Sequence, residues 1–135
     1  MGTDAAKVPS VIRAGLTIFA IKLSLKIRGY SRTMQWMRRA VGNVPPMSET
    51  DVAIVEAAEH AVAMAGALYP GRALCLEQSL ALYYLLRRQG VLVRYCQGVH
   101  PCPFQAHAWI EYQGEVVNDV REHAVEFSRL PDQLP

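Results

Sequence analysis

The sequence predicts an α+β fold, in which helices come first and a small antiparallel sheet packs on the last of them. Apolar residues recur at helical spacing in four segments before residue 90, and turn signals separate these segments. From Val91 onward the apolar period shortens to that of strands, and Gln113-Gly114 forms a tight turn between two strand-like runs. The composition, with 51% apolar and 19% charged residues in 135, is that of a globular chain with a sizeable core.

Start and stop signals bound the predicted helices. Ser10 is a favourable N-cap, and Gly29 is a favourable stop for the helix that Ser10 begins. Ser48 and Asp51 resemble a capping box ahead of the third helix. Gly90 follows two arginines and a glutamine and ends the fourth helix. The expected helices span residues 10–28, 31–41, 49–68 and 75–88.

The expected strands lie in the last third of the chain. They span residues 91–96, 106–112 and 115–118, with a further short strand or turn near residues 123–127. Pro101 and Pro103 mark the loop after the first strand. The sequence has no internal repeat and no linker composition. We therefore expect a single domain over residues 1–135, with a basic helical part at 1–42 and a core segment at 70–130.

The net charge of +2 is unevenly distributed. Residues 1–42 hold eight basic residues and one acid, whereas the remainder holds six basic and eleven acidic residues. This asymmetry indicates that the amino-terminal part contacts an acidic partner or an acidic face of its own domain. The alternative is that these basic side chains are simply exposed to solvent on ordinary helices. Apolar residues surround most of the first helix, so that helix either packs on two sides or offers a second apolar face to a partner. The partner-binding candidates are Arg13, Lys22, Lys26 and Arg28.

Three cysteines without a clear secretory signal favour free thiols in a reducing compartment, so we expect a cytoplasmic protein. The apolar run over residues 14–21 is shorter than the roughly 20 residues that a membrane-spanning helix needs, and we expect no stable membrane insertion. A short apolar run after a basic residue is also a feature of signal peptides, but no small-residue cleavage site follows it.

Cys75, His107 and Asp119 form the candidate catalytic triad, in the order that papain-like and transglutaminase-like enzymes use. Cys75 falls in the first turn of the fourth helix, where unpaired backbone amides favour a thiolate. The hairpin brings Asp119 alongside His107, so the carboxylate can orient the imidazole. Glu111 and Glu115 are alternatives for that role.

The amide of Cys75 is a candidate oxyanion donor, and the second donor cannot be assigned from sequence. Each residue also has a purely structural interpretation. Cys75 could be a buried core thiol, His107 a histidine that is hydrogen-bonded within a sheet, and Asp119 the first residue of a turn.

A zinc site is the competing interpretation of the same region. Its candidate ligands are Cys96, His100, Cys102 and His107. The two cysteines lack the close two-residue spacing of a zinc knuckle, so a core thiol and a loop thiol are the favoured interpretation, and we expect no metal.

Several segments together resemble the lasso-peptide leader peptidases, which are cysteine proteases of transglutaminase-like fold. The similarity is strongest over residues 70–130, where it rests on Cys75-Leu76-Glu77-Gln78-Ser79-Leu80-Ala81-Leu82, Leu85-Leu86-Arg87-Arg88-Gln89-Gly90, Gly98-Val99, Pro103-Phe104, Ala106-His107-Ala108-Trp109-Ile110-Glu111 and Val116-Val117-Asn118-Asp119. Other transglutaminase-like proteins share the His-Ala-Trp segment alone.

The resemblance implies a transglutaminase-like or papain-like core that removes the leader from a lasso precursor peptide without a cofactor. It assigns Cys75 as nucleophile, His107 as general base and acid, and Asp119 as orienter, and we expect Phe104 and Gln105 to contact the substrate. About 70 helical residues precede the nucleophile, as in the stand-alone form that works with a separate leader-recognition protein. The macrolactam-forming cyclase is a further candidate partner, and nucleic acid is not expected. A different transglutaminase-like amidase or acyltransferase, and a non-enzymatic binding module, are the alternatives.

Overall fold

The computed structural model describes residues 10–46, 52–68, 75–101, 104–118, 124, 127–131 and 134. Four helices precede four strands in this part of the chain, which confirms the α+β class. The helices are α1 (Val11–Ile27), α2 (Tyr30–Gly42), α3 (Val52–Leu68) and α4 (Cys75–Arg88). The strands are β1 (Arg94–Pro101), β2 (Phe104–Tyr112), β3 (Glu115–Val116) and β4 (Ser128–Arg129).

The predicted helix ends agree with the structure to within a residue or two where both can be compared. The side chain of Ser10 caps α1 by accepting a hydrogen bond from the amide of Arg13 at 3.0 Å. Gly29, with φ of 89°, lets the chain turn directly from α1 into α2. The proposed capping box of Ser48 and Asp51 lies outside the described residues. None of the helices in the described chain is long and apolar enough to cross a membrane.

Helix α4 lies at the centre of the fold, because it contacts the other three helices on one side and strands β1 and β2 on the other. Leu80, Leu82 and Leu86 are completely buried in it. Trp36 of α2 stacks on Tyr84 of α4, with ring centroids 5.4 Å apart. The other three helices and the sheet all pack on α4. Burial of its apolar side chains therefore fixes the position of this helix in the fold.

The sheet is antiparallel with strand order β3-β2-β1-β4. The predicted hairpin turn is confirmed, since Gln113 and Gly114 join β2 to β3 with φ of 52° and 83°. Strand β1 begins at Arg94 rather than at Val91, because the amide of Val91 still bonds to the carbonyl of Leu86 and closes the helix end.

Two further strand predictions need correction. Strand β1 continues to Pro101, where the sequence analysis placed a loop, because all eight of its residues pair with β2. The last strand lies at Ser128–Arg129 rather than near residues 123–127, of which only Ala124 and Phe127 are described. It pairs with Gly98 and Val99, a long-range contact that no local pattern signals.

The two faces of the sheet carry different cores. Residues Ala108, Ile110 and Tyr112 of β2 join the main core around α4. The residues between them point the opposite way, and Trp109 forms a smaller cluster with Cys96, Ala124 and Phe127. By this alternation, His107 faces the same side of the sheet as Trp109.

Candidate active site

Cys75 is the first residue of α4, and its side chain is exposed. This is the predicted position for a nucleophile, because the amides of the first helical turn have no partners within the helix and favour a negative charge. The thiol is therefore accessible to a substrate and lies at the positive end of the helix dipole.

Cys75 belongs to a face of α4 that is directed at the sheet. Ser79 and Tyr83 follow it at intervals of four residues and so share its face. The hydroxyl of Ser79 donates to the carbonyl of Ala108 in β2 at 3.1 Å. The ring of Tyr83 packs edge-on against Tyr95 in β1, with centroids 6.3 Å apart. Continuing this face by one turn towards the start of the helix places Cys75 level with the first half of β2.

His107 lies in that first half of β2, opposite Gly98 of β1. Its half-buried ring stacks on Trp109, with centroids 5.8 Å apart, and lies 5.3 Å from the ring of Phe127. Gly98 makes this arrangement possible, because a Cβ atom there would come within 2.7 Å of the Cβ of Phe127. Two aromatic side chains and a required glycine therefore hold the imidazole in place.

Asn118 connects the segments that carry the three candidate residues. Its side-chain oxygen accepts from the amide of Ile110 at 2.8 Å, and its side-chain nitrogen donates to the hydroxyl of Ser79 at 2.9 Å. Ser79 in turn donates to Ala108. The linked residues lie four after Cys75, one after His107 and one before Asp119. Three sequence-distant segments therefore meet at a single, fully hydrogen-bonded junction.

This junction lies along the edge of β2 that faces away from β1, since the amide and carbonyl of Ile110 bond to Asn118 and Val117 there. Strand β3 covers the same edge only at Glu111 and Tyr112. In the described part of the chain, the edge beside His107 is thus not paired with another strand.

The structure brings together the elements that carry Cys75 and His107. His107 shares its face of β2 with Trp109, whereas Ala108 and Ile110 face α4. Asp119 lies outside the described residues, directly after Asn118.

The predicted substrate contacts and partner contacts lie in two different regions. Phe104 and Gln105 are exposed at the start of β2, three and two residues before His107, and the side chain of Phe104 is 73% exposed. The four basic candidates Arg13, Lys22, Lys26 and Arg28 belong to α1 and its C-cap. All but Lys22, which is half-buried, are exposed. The proposed docking residues are therefore on a different element from the proposed chemistry.

A polar cluster between the start of α2 and strand β1 was not predicted from the sequence. The hydroxyl of Tyr30 donates to the side-chain oxygen of Gln97 at 2.8 Å. Tyr95 lies beside them, and its hydroxyl is buried. Burial raises the pKa of Tyr95 far above its usual value, and the nearby Tyr30 and Cys75 raise it further. Cys75 thus lies within electrostatic range of this cluster. No sequence signal connects Tyr30 to a strand 67 residues later.

A pocket of about 410 Å³ opens on the histidine side of the sheet. Trp109 and Phe127, which hold His107, form part of its wall. Arg129 and Glu111 also line it, and their side chains form an ion pair at 3.4 Å. An apolar wall with one charge pair suits a peptide side chain better than a small anion.

The described residues give no support to the zinc interpretation. Cys96 is buried as a core thiol against Trp109, and a nitrogen of Arg129 lies 2.9 Å from its sulfur. His100 packs against Phe127. Among the residues that the structure describes, no three His, Cys, Asp or Glu side chains are grouped to hold a metal ion. Cys102 lies outside them.

A cysteine at the start of a central helix, packed on an antiparallel sheet that carries a histidine, defines a class of α+β cysteine enzymes. The family model for the transglutaminase-like superfamily matches residues 15–131. The chain therefore belongs to the transglutaminase-like superfamily, which is generally catalytic and includes cysteine proteases and acyltransferases. The match includes most of α1, so the amino-terminal helices are part of the family domain. Comparisons with curated proteins and with solved structures returned no match.

Proposed function

We propose that this protein is a cysteine peptidase that removes the leader peptide from a lasso-peptide precursor. The junction of Ser79, Ala108 and Asn118 supports the catalytic part of this proposal, because it joins residues that lie one to four positions from Cys75, His107 and Asp119 in the sequence. The choice of substrate rests on the combined motifs of residues 70–130, which resemble the leader peptidases more specifically than the superfamily as a whole.

In the proposed reaction the Cys75 thiolate attacks the scissile carbonyl carbon while His107 holds the thiol proton. A C–S bond forms, and the carbonyl oxygen becomes an oxyanion. Collapse of this intermediate breaks the C–N bond, and His107 gives its proton to the leaving amine. Water then attacks the thioester with His107 as base, which releases a carboxylate and regenerates Cys75. Asp119 orients the imidazole and does not exchange the reacting proton.

Two donors are proposed for the oxyanion, the backbone amide of Cys75 and the side-chain amide of Gln97. Gln97 accepts from Tyr30 through its oxygen, so its nitrogen is directed elsewhere and is not committed to any described hydrogen bond. Gln97 lies opposite Ala108, whose carbonyl contacts Ser79 on the Cys75 face of α4. Its half-exposed side chain is accessible to substrate, unlike the buried hydroxyl of Tyr95.

Three partners complete the proposal: the precursor peptide, a separate leader-recognition protein and the macrolactam-forming cyclase. The precursor is the substrate, and the recognition protein raises its effective concentration at Cys75. The pocket walled by Trp109 and Phe127 is a candidate site for a precursor side chain close to the scissile bond.

The decisive experiment incubates the protein with candidate precursor and recognition protein and analyses the products by mass spectrometry. We expect two fragments from cleavage at the leader–core boundary. Cys75→Ala should lower the rate by several orders of magnitude and keep its fold, because its side chain is exposed. Cys102→Ser and Cys96→Ser are the controls, and both should remain active. Cleavage by the Cys75→Ala variant at the parental rate would refute the assignment of the nucleophile.

The second candidate function is another amidase or acyltransferase reaction through the same acyl-enzyme, which membership of the superfamily also supports. Peptidase and acyltransferase differ in what accepts the acyl group. Adding a primary amine to the assay discriminates them: an amide product favours transfer, and free carboxylate alone favours hydrolysis.

A further inference from the structure

The outer face of α1 carries a continuous apolar stripe that nothing in the described structure covers. Its members recur at intervals of four, three, four and four residues. They are Ile12, Leu16, Phe19, Leu23 and Ile27. The two ends of the stripe are 77% and 72% exposed, and Phe19 at its middle is 53% exposed. The opposite face of α1 already supplies the core, through the completely buried Ala14, Ile18 and Ile21. The stripe is therefore surplus to folding.

The width of the stripe favours a helical partner over a lipid surface. At 3.6 residues per turn its five positions lie within a strip of roughly 80°. A helix embedded in a membrane interface presents a broader apolar face, whereas a narrow strip with intervals of three and four is the seam of a paired helix. Five positions extend over the full length of α1, so a partner helix of about four turns would match it.

The charges beside the stripe determine what kind of helix fits. Residues 10–46 contain seven basic residues and no acid. Arg13 and Lys26 are exposed on opposite sides of the stripe, in the positions that flank a paired-helix seam. Pairing α1 with a second copy of itself would bring like charges together, which destabilises such a pair. A partner with acids at its flanking positions forms favourable pairs instead.

We propose that the outer face of α1 docks an amphipathic helix of a partner protein, with an apolar seam flanked by Asp and Glu. The identification of this partner as the leader-recognition protein rests on the proposed function. The apolar stripe and its flanking charges are independent of that function. The stripe supplies contact area, and Arg13 and Lys26 supply orientation and rate of encounter.

The test uses a synthetic helical peptide of about four turns, with Leu at the seam positions and Glu at the flanking positions, and a second peptide with Lys in place of Glu. Fluorescence anisotropy with the full chain should show binding of the Glu peptide only. The double variant Leu16→Ser/Phe19→Ser should weaken that binding at least tenfold, while Leu92→Ser, an equally exposed position away from α1, should not change it. The double variant Arg13→Glu/Lys26→Glu should lose preference for the Glu peptide.

Three outcomes would overturn the proposal. Equal binding of the Glu peptide by the parent and the Leu16→Ser/Phe19→Ser variant would show that the stripe is not the contact surface. Phosphatidylglycerol vesicles that capture the chain in place of the peptide, with loss on the same substitutions, would identify a lipid surface. Sedimentation of the parent as a dimer and of the variant as a monomer would identify a second copy as the occupant.

Failure of the docking proposal and failure of the peptidase proposal give different results. Peptide binding does not need Cys75, so Cys75→Ala should bind the Glu peptide as the parent does. If cleavage of partner-bound precursor is observed, the stripe variants should raise KM and leave kcat close to the parental value, because docking precedes the chemistry. Binding without cleavage would retain the docking surface and reject the function.

Discussion

Along the edge of β2, polar groups from three distant segments satisfy one another, whereas along the outer face of α1 apolar side chains of a single segment stay open to solvent. Ser79, Ala108 and Asn118 belong to the first region, and their hydrogen bonds hold α4, β2 and the segment after β3 together. The five apolar residues of the α1 stripe belong to the second region, and they restrict no other part of the described fold.

Under the two proposals, the difference separates chemistry from recognition within one chain. A catalytic group must be held in position before the substrate arrives, which requires long-range contacts that are already complete. A docking surface gains its free energy only when the partner covers it, which requires contacts that are still unmade. Substitutions in the two regions should therefore change different kinetic constants, kcat at the β2 edge and KM at α1.

The largest expected effects at the β2 edge concern the imidazole and its orienting carboxylate. His107→Ala should nearly abolish cleavage. In the serine-protease template the equivalent Asp→Asn change lowers kcat by about 10⁴. A thiolate–imidazolium pair depends less on the carboxylate, so we expect Asp119→Asn to be impaired less than His107→Ala. Single-turnover cleavage of precursor measures both. A parental rate for Asp119→Asn would transfer the orienting role to Glu111 or Glu115.

The next effect concerns the proposed oxyanion donor. Gln97→Glu keeps the oxygen that accepts from Tyr30 and removes the donor nitrogen. We expect kcat to fall by about 10²–10³ with little change in KM, since the donor acts on the developing oxyanion. Tyr30→Phe should cost less, because it only releases the orientation of Gln97. Gln35→Ala, an exposed glutamine on α2, is the control. A fully active Gln97→Glu variant would remove Gln97 from the mechanism.

Local pattern was sufficient to predict most helix ends and the β2–β3 turn, because caps, glycines and apolar spacing act over a few residues. The same information gave the position of Cys75 at the start of α4 and of His107 on a strand. It failed at β4, whose pairing with β1 joins residues about 30 apart. It also missed the contact of Tyr30 with Gln97, since the order of elements in space is set by packing.

The sequence predicted the apolar residues of the α1 stripe but not their exposure. The sequence showed apolar residues around most of the helix, and either burial on two sides or a free second face was consistent with that pattern. The structure selects the second, because α3 and α4 pack on one face of α1 and leave Phe19 exposed. Whether a face is covered depends on how many neighbours the fold supplies, which the periodicity of one helix does not encode.

The smallest expected effect on catalysis comes from Ser79→Ala, which tests the junction of Ser79, Ala108 and Asn118 directly. Ser79→Ala removes the hydroxyl that donates to Ala108 and accepts from Asn118. Two buried polar groups then lose a partner, which should lower the free energy of unfolding by about 1–3 kcal/mol. Thermal and denaturant unfolding measure this loss, with Ser31→Ala, an exposed serine on α2, as the matched control.

Ser79 contacts the proposed catalytic segments only through the backbone of β2 and the side chain of Asn118. We therefore expect Ser79→Ala to lower kcat a few-fold and to leave KM for partner-bound precursor unchanged. Asn118→Ala should reproduce both effects, and the double variant should cost less than the sum of the singles, since both substitutions break the same hydrogen bond. Strictly additive losses would show that Ser79 and Asn118 act separately. In that case the β2 edge would not hold its three segments as one unit.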